Sequence, residues 1–176
     1  MSLEQGRYTF RHNNIIRYIV KFLVDNSNGA IEVFSDIKGY TINDGTIPSA
    51  IIPTQEKPDI YVVKSVKRHM TIIELTVPFE TNISKARQRK LDRYAALVAD
   101  INKTKYNVDL ICLEVGSRGL INKDNKSQIR QIASLVGEKR TRSLWRDISR
   151  IALLSSYAIF NARHESKWVD YEQFYV

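Results

Sequence analysis

Lys57-Pro58-Asp59-Ile60-Tyr61-Val62-Val63, a basic turn, and then Met70-Thr71-Ile72-Ile73-Glu74-Leu75-Thr76 form the stretch that decides the fold. Both apolar runs are rich in β-branched residues, and Lys64 to His69 between them is polar, which is the pattern of a hairpin. Fourteen residues separate Asp59 from Glu74, so a hairpin brings one carboxylate from each arm to the same end of the sheet. Two carboxylates and water suit a hard, oxygen-seeking cation such as Mg2+. A cation so held polarises a phosphodiester and lowers the pKa of a bound water. The layout therefore predicts a metal-dependent nuclease site with Asp59 and Glu74 as ligands. The competing reading makes Asp59 a turn acid and Glu74 a solvated strand residue.

The segment that follows helps to separate the two. Asn82 or Ser84 can cap a helix running to about Lys103. On its wheel Ile83, Ala86, Lys90, Tyr94, Leu97 and Ile101 share one stripe, so Lys90 is expected on the inward face. An inward ammonium calls for an anionic partner, which the two acids or a bound phosphate would supply. The bland reading is a lysine snorkelling at the helix edge. Arg93, on the border of the same face, is the second candidate. Glu80 is an auxiliary acid or simply an acid near a positive helix start.

Working outward, an amphipathic helix is expected from Asn13 to Leu23, with Asn13 or Asn14 as cap, and a short strand over Ile31–Phe34. Ser35 to Glu56 carries turn chemistry and reads as a long loop with a short strand at Ala50-Ile51-Ile52. Val108–Val115 is an apolar strand ending in the turn Gly116-Ser117-Arg118-Gly119. Helices are expected over Lys126–Val136 and Thr141–Asn161, followed by an aromatic tail with Trp168, Tyr171, Phe174 and Tyr175. Strands interspersed with helices predict an α/β fold, a mixed central β-sheet flanked by helices.

The chain has 176 residues, a size that suits a single domain burying roughly 70% of its unfolded surface. Hydrophobic residues at 43% and charged residues at 26% exclude a disordered chain. The net charge of +8 makes a polyanion, and DNA in particular, the leading partner. Arg142, Arg146 and Arg150 recur every four residues along the last long helix, apart from its apolar face, and form a ridge suited to phosphate contact. Arg118 in its glycine-flanked turn, and Arg11 and His12 before the first helix, are further DNA-contact candidates; Arg11 and His12 could equally brace the acidic site. His69 and His164 read as solvated. Cys112 is the only cysteine, which excludes an internal disulfide or a cysteine-rich zinc site. No apolar run approaches the roughly 20 residues that span a bilayer, and no signal peptide is apparent, so no membrane partner and an intracellular location are expected. Met1-Ser2-Leu3 reads as a cloning remnant, in which case the natural chain is longer.

Taken together, the residues resemble the PD-(D/E)xK nuclease superfamily. Pro58-Asp59 looks like its first half-motif and Glu74-Leu75-Thr76 like its second, except that Thr76 stands where the lysine is usual; in several branches that lysine lies on the next helix, where Lys90 would fill the role. Within the superfamily the chain is most similar to the restriction-like endonuclease domain of site-specific non-LTR retrotransposons. Arg11-His12-Asn13, Lys57-Pro58-Asp59, the segment Glu74 to Glu80, Lys90-Leu91-Asp92-Arg93-Tyr94 and the segment Glu114 to Gly119 carry that similarity. It covers residues 7 to 120, leaving 121 to 176 as a C-terminal helical extension. The resemblance implies a restriction-endonuclease-like core, catalysis by Asp59, Glu74 and Lys90 with Tyr94 beside them, and Mg2+ for which Mn2+ can substitute. It also implies a domain that nicks target DNA so that the freed 3′ hydroxyl primes reverse transcription, nuclear if the retroelement is eukaryotic. Larger retroelement polyprotein domains are then its partners, or the chain is a freestanding relative. The alternative is a catalytically inactive nuclease-fold module for DNA binding or assembly. Oligomeric state is left open.

Overall fold

The computed structural model describes residues 7–37, 40–123, 125–138 and 141–165. Helix α1 (Arg7–Asn26) is followed by β1 (Glu32–Ile37), β2 (Tyr40–Ile42), β3 (Ile60–Lys64) and β4 (His69–Thr76). Helix α2 (Ile83–Asn102), β5 (Asn107–Glu114), α3 (Asn125–Ser134) and α4 (Thr141–Asn161) complete it. The aromatic tail lies outside the described residues. Among those described, no helix is long and apolar enough to cross a membrane.

The strands form one open five-stranded sheet in the order β2-β1-β3-β4-β5. The first three pairings are antiparallel and β4–β5 is parallel. Adjacent parallel strands need a long crossover, and α2 supplies it. The expected mixed α/β sheet with flanking helices is therefore present. Its two faces follow from the period-two alternation of β3, β4 and β5. Ile60, Val62, Ile73, Leu75, Ile111 and Leu113 join α1, α3 and α4 in one core. Tyr61, Val63, Met70 and Ile72 pack with Tyr94, Leu97 and Ile101 of α2 in the other. Each residue of that α2 trio is at most 6% exposed.

Three expectations are corrected. Helix α1 starts at Arg7 rather than at Asn13, and Asn13 and Asn14 are buried inside it; Phe10 extends the apolar stripe by packing on Ala158 and Ile159 of α4. Part of the expected loop is sheet, because Ser35–Ile37 belongs to β1 and Tyr40–Ile42 pairs back on it as an edge strand. Gly45 lies against that hairpin with φ +62°, and a Cβ there would fall 2.1 Å from Cβ of Asp36, so a side chain cannot be accommodated. Residues 50–52 form a turn, not a strand: the Ile51 N–H donates to the Pro48 carbonyl at 2.8 Å. Ile47 and Ile51 pack into the α2-side core and hold the loop down.

Candidate active site

The antiparallel register of β3 on β4 pairs Ile60 with Ile73. One step further, Asp59 stands opposite Glu74 at the end of the ladder. Residues opposite one another project from the same face, here the face covered by α2. The Asp59 N–H donates to Glu74 Oε1 at 3.2 Å, and Asp59 Oδ2 accepts the Leu75 N–H at 2.8 Å. The two acids are thus fixed to each other's strands.

Helix α2 and helix α1 complete the cluster. Lys90 Nζ donates to Glu74 Oε2 at 2.6 Å, with Glu74 only 1% exposed. The Tyr94 phenol lies beside the same carboxylate, and burial together with Glu74 pushes its pKa up. From α1, His12 Nε2 meets Asp59 Oδ2 at 3.2 Å while Nδ1 meets Asn13 Oδ1 at 3.2 Å. An acceptor at each ring nitrogen is satisfied by the doubly protonated imidazolium. Burial opposes that charge, but Asp59 outweighs it and the His12 pKa is raised.

The carboxylates respond in opposite directions. Burial alone would lift Asp59, but His12, the Leu75 N–H and Lys90 hold it below the ordinary range. Glu74 is pushed up, first by burial and then by the negative charge of Asp59, against the pull of Lys90. Neighbouring acids driven apart in this way are the pattern of a candidate site for proton or cation chemistry.

The remaining predicted residues are placed as follows. Arg93 pairs with Glu56 at 3.2 Å and lies 5.2 Å over the Tyr94 ring instead of bonding to Asp59 or Glu74. Glu80 accepts the Arg118 N–H at 2.8 Å and Arg118 Nε at 3.2 Å, so it clamps the 116–119 turn instead of reaching the acidic pair. Gly116 makes room for this, since a Cβ there would lie 2.7 Å from Glu80 Oε1. Arg11 is buried, donating to Ser156 Oγ at 2.9 Å and to the Val77 carbonyl at 3.1 Å. It and His12 brace neighbouring structure from within α1. Arg142, Arg146 and Arg150 are all exposed on α4, with Arg146 partly offset by Asp147 at 3.0 Å.

One residue was missed. Glu114 ends β5 opposite Thr76 in the parallel register, two positions after Cys112, which lies opposite Glu74. It is 1% exposed; among the described residues neither carboxylate oxygen has a hydrogen bond of good geometry, Asn125 lies beside it, and the nearest cation is Arg87 at 3.9 Å. Burial pushes its pKa up to about 7. The run Glu114 to Gly119 is conspicuous in the sequence, but only the parallel register brings Glu114 beside Thr76.

Among the described residues no group of three or more His, Cys, Asp and Glu side chains could hold a metal ion. Asp59 and Glu74 nevertheless suit Mg2+, which is commonly held by one or two carboxylates with water and substrate phosphate completing the shell. Burial is the main cause that raises Glu74, and the repulsion from Asp59 that adds to it is what a dication between the two would relieve. No protein-family model and no curated protein matches the chain.

Proposed function

We propose that the protein is a Mg2+-dependent DNA endonuclease with a restriction-endonuclease-like core, nicking one strand of its target. The observation that carries this reading is the buried Glu74, opposite Asp59 and bonded to Lys90 at 2.6 Å. Asp59 and Glu74 would hold Mg2+, or Mn2+ in its place. The bound ion supplies a polarised phosphodiester and a water of lowered pKa. His12 and the Leu75 N–H keep Asp59 ionised and oriented. Lys90 would stabilise charge developing on a phosphate oxygen beside Glu74. Water forms the new bond to phosphorus, the bond to the 3′ oxygen breaks, and the freed 3′ hydroxyl is the end a polymerase could extend. In a retroelement setting, that end primes reverse transcription.

A second reading, a nuclease-fold module that binds DNA without cutting, is favoured by Thr76 standing where a lysine is usual. Incubating supercoiled plasmid with protein and Mg2+ separates the two. The nuclease reading predicts an open-circular product, formed by Asp59→Ala at least about 100-fold more slowly. Wild-type protein that binds the plasmid but nicks no faster than Asp59→Ala would establish the binding module instead.

A further inference from the structure

A groove of about 650 Å³ opens beside the acidic pair, lined among others by Tyr8, Arg11, Thr76, Phe79, Lys85 and Arg89. No acid lines it. Thr76 lies two residues beyond Glu74 on the same strand, and Ala86, also in the lining, precedes Lys90 by about 6 Å, one helical turn. The groove thus begins where the candidate active site ends. Its walls are fixed: the Ser117 N–H donates to the Pro78 carbonyl at 2.9 Å, and Arg11 in the floor is bonded to Val77 and Ser156.

Two features of the lining point to an occupant. Lys85 and Arg89 are exposed and make no hydrogen bond or ion pair among the described residues; with Arg11 they leave the groove cationic. Glu80, the nearest acid in sequence, is already held by Arg118. Phe79 and Tyr8 are 56% and 49% exposed, so both rings are open to a ligand in the groove. Each is accompanied by a guanidinium, Arg118 at 5.3 Å from the Phe79 ring and Arg11 at 5.8 Å from that of Tyr8. Exposed rings set among cations match what single-stranded nucleic acid requires, stacking surfaces for bases and positive charge for phosphates. Bases inside a duplex are already stacked on both faces and cannot use such rings.

We infer that this groove receives an unpaired nucleotide of the DNA strand adjoining the phosphodiester to be cut, its base on Phe79 and its phosphate on Lys85 and Arg89. The site would therefore act on DNA that is locally unpaired beside the nick. That the occupant is DNA rests on the nuclease reading above.

Fluorescence anisotropy with the full chain in EDTA tests this with cutting suppressed. The probes are a short labelled single strand, a fully paired duplex, and the same duplex with one bulged nucleotide. Phe79→Ala should weaken binding of the single strand and the bulged duplex by about tenfold, leave the paired duplex within about twofold, and be rescued by Phe79→Trp. Replacing both Lys85 and Arg89 by Ala should lower the salt slope for the single strand by about 1.4. Equal losses on paired and unpaired probes, no loss with Phe79→Ala, or an unchanged salt slope would overturn the groove. Plasmid nicking by the same preparations keeps the two ideas apart. Unpaired-strand binding that depends on Phe79 without any nicking sinks only the nuclease reading.

Discussion

Glu74 and Glu114 are equally buried, at 1% exposure, yet their surroundings differ. Glu74 has an ammonium at 2.6 Å and the Asp59 N–H at 3.2 Å. Glu114 has Arg87 at 3.9 Å and Asn125 beside it, too little to offset its burial, and its pKa rises to about 7 from an ordinary 4.5. A folded-state pKa above the unfolded one means stability that is complete below about pH 4.5 and is lost as pH rises through about 7. Complete burial allows a swing on the order of 3 kcal/mol. Denaturant unfolding of wild type should therefore show stability falling from pH 5 to pH 8, and Glu114→Gln should flatten that fall. Parallel pH profiles for the two proteins would show that Glu114 does not titrate as its burial requires. Glu74 and Lys90 were legible in the sequence because each lies on a single period of a single element, and Asp59 because it directly precedes β3. Glu114 was not, because its relation to Thr76 arises only from the pairing of β5 with β4.

At the scale of elements, α2 does the most. Its buried stripe of Ala86, Tyr94, Leu97 and Ile101 seats it on the sheet, and that seating turns Lys90 toward Glu74 and Arg93 toward Glu56. The helical wheel was sufficient to anticipate the inward Lys90, but not the pairing of Arg93 with Glu56. Where the sequence misled, the deciding contact was tertiary: Phe10 lengthens α1 by meeting α4, and Tyr40–Ile42 becomes a strand by pairing with β1. The α2 arrangement also accounts for Thr76. Thr76 projects from the same face of β4 as Glu74, so a lysine there approaches the acids from the strand instead of the helix. Lys90→Ala should slow nicking by about 100-fold or more. Adding Thr76→Lys to it should restore about tenfold of that loss. A double variant that folds and binds DNA yet nicks no faster than Lys90→Ala would remove Lys90 from the chemistry.

At the scale of the molecule, the sheet separates two layers of different character. The acids and Lys90 lie on the α2 side, and the groove opens at the end of the sheet between α2 and the start of α1, whereas Arg142, Arg146 and Arg150 ride on α4 in the layer built with α1 and α3. The net charge of +8 is thus spread over more than one surface, and charge alone could not have indicated which surface adjoins the acids. The mixed sheet was legible in the alternation of strands and helices; the strand order was not, because it depends on which edges pair. The whole arrangement centres on one claim, that Asp59 and Glu74 hold a divalent ion beside Lys90. Crystals grown with Mn2+ and measured for its anomalous scattering test that claim most directly. The account predicts a peak within coordination distance of both carboxylates, with the Lys90 amine turned to the same site. Ordered Asp59 and Glu74 side chains with no peak between them at saturating Mn2+ would contradict it.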